Sequence, residues 1–220
     1  MIKLPKEKDG RPVTSYSQIS LWNDKSSFNL KTEGKIEYIR KYFFGEKYED
    51  EFGWAEFGRK VEDALEANDF SSFTEKEIEV LKQVKTYPVF QKEMTIDYGD
   101  FDLFGIIDNC TEDLSEMQDF KTASENSAKK YNSPDYKQLT IYTSAIYRQT
   151  KKLPKKVKVC VIERKGNPMK GEILTVGEKT WDIDKKITKT DIKKVDEYVI
   201  NTVKDISETY KVFEKLLTLK

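Results

Sequence analysis

The chain has 220 residues, with 39 Lys and Arg against 39 Asp and Glu, no histidine and two cysteines, Cys110 and Cys160. That length suits one core, or one core with an appendage, and 12 Phe, 12 Tyr and 3 Trp argue for a folded chain. Without histidine there is no Ser-His-Asp or Cys-His triad and no His-ligated zinc, and two cysteines cannot alone hold a zinc or an iron–sulfur cluster. Chemistry therefore falls to carboxylates, lysines, hydroxyls, amides and oxygen-ligated metals.

The first residues, Met1 to Lys8, carry charge without an apolar stretch, so no secretory signal is expected, and no apolar run approaches a membrane span. Both cysteines sit in apolar runs, as small buried hydrophobes of a cytoplasmic protein do. Ser15-Tyr16-Ser17-Gln18-Ile19 reads as a helix start with Ser15 or Ser17 as N-cap. Ile36, Ile39, Tyr42 and Phe43 mark an amphipathic helix ending near Gly45. Trp54, Phe57, Val61 and Leu65 recur at helical spacing and predict a helix over 54–67. Thr74 and Glu77 form a capping box for a further helix, which Pro88 ends. The period then changes to two. Strands are expected at 89–96, 101–110 and 114–122, joined by turns at 98–100 and 111–113. A polar stretch from Ala123 to Pro134 precedes a helix over about 135–148, with Leu139, Ile141, Tyr142, Ala145 and Ile146 on its apolar face. A strand at 157–163, an Asn167-Pro168 turn and a further strand at 172–176 lead to a long terminal helix. Its stripe is Ile192, Val195, Val199, Val203, Ile206, Tyr210, Phe213 and Leu217. A single helix between the third and fourth strands can serve as a crossover, which predicts an α/β fold with a mixed central β-sheet flanked by helices. The organisation expected is a single domain over 1–220: N-terminal helices at 14–86, a core sheet and helix at 87–178 and a C-terminal helix at 187–218.

Zero net charge hides a pattern. Residues 41–120 carry 8 basic and 21 acidic groups, a net of −13, and residues 121–170 carry 13 and 3, a net of +10. Two solvated faces of opposite sign explain this as readily as a carboxylate cluster beside a strip that gathers a polyanion. In a strand, Asp119 and Lys121 point to one face and Phe120 to the other. The tight 111–113 turn places Asp108 of the preceding strand roughly opposite Asp119. Two carboxylates at adjacent strand positions repel unless a cation joins them, and a hard divalent ion with oxygen ligands does so.

Gly105-Ile106-Ile107-Asp108, then Asp119-Phe120-Lys121-Thr122, then Gln138-Leu139-Thr140-Ile141-Tyr142 resembles the motif set of the PD-(D/E)XK nuclease superfamily, closest to its RecB-like and phage-exonuclease branch. The match in order and spacing covers about residues 14–165. The resemblance implies a restriction-endonuclease-like αβββαβ core and metal-dependent hydrolysis of DNA phosphodiesters, leaving a 5′-phosphate, in phage-type recombination, repair or processing. It makes Asp108 and Asp119 metal ligands together with the Phe120 carbonyl, and Lys121 the group that polarises the attacking water. Glu62 stands where the branch's G-x-x-x-H helix carries its histidine ligand, in Gly58-Arg59-Lys60-Val61-Glu62. Gln138 and Tyr142, four apart on one helix face, point at the active site and the DNA backbone. Ser15 and Ser17 match the branch's opening S-x-S helix and, with Lys129 and Lys130 of the basic stretch, are candidate DNA contacts; Tyr131 and Tyr136 are candidates for stacking on bases. Lys137, Arg148, Lys151 and Lys152 are further backbone candidates. The cofactor implied is Mg²⁺ or Mn²⁺, with no iron–sulfur cluster and no zinc. The partners implied are linear DNA, double- or single-stranded, with a homo-oligomer or a single-strand annealing or binding protein compatible with the branch, no membrane, and the host cytoplasm if the chain is viral. An exonuclease is favoured; a structure- or end-specific endonuclease of the same fold, or a non-cleaving DNA- or protein-binding module, are the alternatives.

Overall fold

The computed structural model describes residues 1–24, 34–47 and 51–218; the helical segment expected over 14–86 thus includes two stretches outside the described residues. The elements run β1 (Glu7–Lys8), β2 (Arg11–Ser15), α1 (Tyr16–Trp22), α2 (Gly34–Tyr38) continued by a π-turn at Ile39–Phe43, α3 (Trp54–Ala67) and α4 (Glu75–Leu81). They continue with β3 (Val89–Asp97), β4 (Asp102–Cys110), β5 (Glu116–Ala123), α5 (Glu125–Asn132), α6 (Gln138–Thr150), β6 (Lys156–Lys165), a 3₁₀ turn at Pro168–Lys170, β7 (Thr175–Asp184) and α7 (Lys189–Leu217). This is a mixed α/β fold: a central mixed sheet flanked by helices, with a long C-terminal helix. α5 and α6 carry the crossover from β5 to a parallel β6.

Several elements depart from the sequence reading. A β1–β2 hairpin, for which the sequence reading has no element, precedes the helix expected from Ser15, which forms as α1; β2 pairs parallel with β4, whose residues lie some 90 positions away. Within α2 it is Tyr38 that is buried, while Ile36 is 47% exposed; the π-turn that follows changes the helical phase. α4 ends at Leu81, well before Pro88. The polar stretch after Ala123 is helical as α5, capped by Ser124 and held by Ala128 and Tyr131, two buried residues too sparse to show as a periodic pattern. β7 starts later and runs further than expected, to Asp184.

Alternation along the strands sorts the core into two layers. Val159 and Val161 face a core built with α1, α6 and α7; Cys160 and Ile162 face one built with α3 and α4. Phe120 enters the second layer, so Asp119 and Lys121 turn toward α6. Both cysteines are buried and free. β2 and β5 share one edge of β4: Val13–Ser15 lie along Asp102–Phe104, and Met117 and Gln118 along Cys110 and Asn109. Between them β5 peels away from β4, and this edge at Gly105–Asp108 has no ladder partner among the described residues.

Candidate active site

The split in the sheet makes the site. Register continued from Asn109↔Gln118 sets Asp108 opposite Asp119, and the Asp108 carboxylate spans the opening to accept the Phe120 N–H at 2.9 Å. On its other side, β3 changes phase at the same level. Met94 and Ile96 face the α1/α6/α7 core, and so does Val89, an odd number of residues away; Gln91, opposite Asp108, adopts φ +48° between them. A left-handed residue inside a strand re-aims the side chains on either side of it. On β4 it is the register with β5 that puts Asp108 on the face of Asp119, although Leu103 and Ile107 of the same strand face that core too.

Lys121 closes the arrangement. Its Nζ lies 2.7 Å from Asp119 Oδ2, 3.8 Å from Asp108 Oδ2 and 3.0 Å from the Phe120 carbonyl, to which it donates. Asp119 is 1% exposed and is held by two further donors: Gln138 Nε2 at 2.8 Å to Oδ1 and the Tyr136 hydroxyl at 2.7 Å to Oδ2. The Tyr136 hydroxyl also lies 2.9 Å from Gln138 Oε1, and the Gln138 amide is oriented by the bond its Nε2 donates to Asp119. Burial, then Asp119, pushes the Asp108 carboxyl up to about 8. Burial alone would lower Lys121, but Asp119, Asp108 and Glu62 outweigh it and hold the ammonium above its ordinary value. Burial and Asp119 likewise raise the Tyr136 phenol, which stays a donor.

The other expected residues are placed as follows. Tyr142 packs against Gly105, where an added Cβ would stand 2.6 Å from Cε1; that approach is why the position is glycine. Gln138 reaches the Tyr142 hydroxyl at 3.4 Å. Glu62 is half-buried on α3, raised first by burial, and feels Lys121 and Asp119. It does not complete a three-carboxylate cluster: among the described residues no three acidic or thiol side chains close into one. Ser15 caps α1 and its hydroxyl lies 3.0 Å from that of Ser17, at the end of β2 beside the unladdered edge of β4. Lys129 and Lys130 lie on the last turn of α5, Lys129 exposed; Lys130 is lowered by desolvation of its ammonium, then by the nearby Arg164 and Lys121. Tyr131, 7% exposed, packs edge-on against Tyr136 at 5.1 Å, and Tyr136 positions Asp119. That role had no local signal, since Tyr136 lies 17 residues from its partner on a different element.

The fold resembles that of a candidate exonuclease. The crystal structure of that protein, from Eubacterium rectale, matches with a TM-score of 0.51 over 89% of this chain and 81% of that one, at 9% identity. Likeness at this identity is likeness of fold. No family model and no curated protein matches the chain by sequence.

A divalent ion fits the donors present. The two carboxylates and the Phe120 carbonyl already converge on one cationic group, the Lys121 ammonium, and all three are hard oxygen donors of the kind Mg²⁺ and Mn²⁺ take. No helix among the described residues is long and apolar enough to cross a membrane.

Proposed function

We propose that the chain is a Mg²⁺- or Mn²⁺-dependent deoxyribonuclease, an exonuclease by preference, that hydrolyses phosphodiester bonds at the Asp108–Asp119–Lys121 site. The observation that carries this reading is the convergence of three oxygens on Lys121 Nζ at 2.7, 3.0 and 3.8 Å. Asp108, Asp119 and the Phe120 carbonyl would hold the ion, with Glu62 as an outlying carboxylate. When bound, such an ion supplies a Lewis acid for phosphoryl oxygens and for water.

The chain's own residues do the rest. Lys121 stays protonated at neutral pH, so it acts as a hydrogen-bond donor that orients the attacking water, not as a base. Gln138 and Tyr136 fix the rotamer of Asp119 from both oxygens, which keeps the carboxylate pointed at the reacting centre. Ser15 and Ser17, at the bare β4 edge, supply hydroxyls to a backbone phosphate. Linear DNA labelled at the 5′ or the 3′ end, incubated with Mg²⁺, tests the reading. Wild type is expected to shorten linear duplex or single strands and leave closed circles intact, with Asp119→Ala and Lys121→Ala reduced at least ~100-fold, the scale of one lost electrostatic catalytic group. Equal activity in all three would sink the assignment.

A further inference from the structure

A second charged feature lies behind the Tyr136 ring. A cleft of about 360 Å³ opens where the β7–α7 connection passes the start of α6, and Lys137, Lys185, Lys186 and Lys194 line it. Its one carboxylate, Asp191, is taken up by the Thr188 N–H at 2.9 Å and the Thr188 hydroxyl at 2.7 Å, as the cap of α7. Lys137 spends its charge partly on Asp135 at 3.5 Å, while no ion pair forms at Lys185, Lys186 or Lys194 among the described residues. Lys185 stands 6.0 Å over the Tyr136 ring, whose hydroxyl bonds Asp119, so one side chain floors the cleft and braces the candidate active site. Lys185, Lys186 and Lys194, gathered with only the capping Asp191 near Lys194 to offset them, repel one another, and an external polyanion relieves that cost.

We propose that this cleft binds the phosphate backbone of a nucleic-acid strand outside the catalytic centre, with Lys185, Lys186 and Lys194 as its phosphate contacts. The inference rests on the nuclease reading for its ligand, and its test does not depend on cleavage. The full chain in EDTA is mixed with a labelled single-stranded oligonucleotide, and lysine acetylation is mapped by mass spectrometry with and without it. Protection of Lys185, Lys186 and Lys194 is expected with the oligonucleotide and not with inorganic phosphate at the same concentration. The combined variant Lys185→Ala, Lys186→Ala, Lys194→Ala is expected to bind at least about tenfold more weakly at about 0.1 M salt. Its log K against log salt slope should fall by about 2, from about 0.7 per lost single-strand phosphate contact. A charge-matched control, Lys204→Ala with Lys211→Ala and Lys215→Ala further along α7, is expected to bind as wild type does. Equal protection by inorganic phosphate would make the cleft a small-anion site and overturn the proposal. So would unchanged acetylation while DNA is bound or cut, which would leave the nuclease reading standing. A protein that neither binds nor cuts any nucleic acid would remove both.

Discussion

Burial and the neighbouring Asp119 carboxylate raise Asp108 to about 8, against an ordinary value near 4 for an unfolded aspartate. A folded-state pKa above the unfolded one gives a contribution that is full below about pH 4 and lost as pH rises through about 8. Glu62 is shifted in the same direction, and Lys121, raised above its own ordinary value, keeps its contribution throughout this window. The protein in EDTA is therefore expected to melt at a lower temperature at pH 8 than at pH 5, and Asp108→Asn to flatten that slope; a melting temperature that rises with pH over this range would contradict it. Gln91 gives a second prediction at this scale. Strand propensity favours valine there, but φ +48° places a β-branched residue in the left-handed region, where Cβ meets the following carbonyl. Gln91→Val is expected to destabilise by about 1–2 kcal/mol and Gln91→Gly to be neutral within about 0.5 kcal/mol, by urea denaturation. The carboxylates of the site were legible in the sequence because a tight turn fixes which residues of a hairpin face each other. Tyr136 and the phase change at Gln91 were not, because each is set by a partner on another strand or helix.

Among the elements, the long terminal helix shows where a stripe is core and where it is surface. Val195, Val199, Val203 and Ile206 are buried in the core that α1, α6 and the sheet share, and the stripe then runs out past the edge of that layer to Leu217, 53% exposed. Ile206→Ala is expected to cost about 2–5 kcal/mol and Leu217→Ala under about 0.5 kcal/mol, read from equilibrium unfolding. Periodicity alone assigns the two positions the same role. α3 runs from Trp54 to Ala67 as its apolar spacing dictates, because four buried residues mark every turn. α5 escaped the same reading because two buried residues and a serine cap suffice to seat it on the crossover.

For the whole molecule, the charge asymmetry becomes spatial. The acidic segment ends at the two aspartates, and the basic one supplies Lys121 between them and Lys130 nearby. A divalent ion taken by this site binds the folded state only, so at 100 times its Kd it is expected to add about 2.7 kcal/mol of stability. That gain should be visible as a rise in melting temperature with Mg²⁺ or Mn²⁺ at pH 8, and absent in Asp119→Ala; equal shifts in both would place the ion elsewhere. By itself the sequence determined what adjacent residues decide: the helix at 54–67, the β3–β4–β5 meander, the facing of Asp108 and Asp119, and the side-by-side placing of Asp119 and Lys121. These follow from side-chain period and turn length, which need no knowledge of distant partners. Only the tertiary structure decided that β2 and β5 divide one edge of β4, that β3 changes phase at Gln91, that Tyr136 locks Asp119, and that lysines from α6, the β7–α7 connection and α7 share one cleft. Each of these joins segments far apart in the chain, where pairing energy and burial, not local preference, choose the conformation.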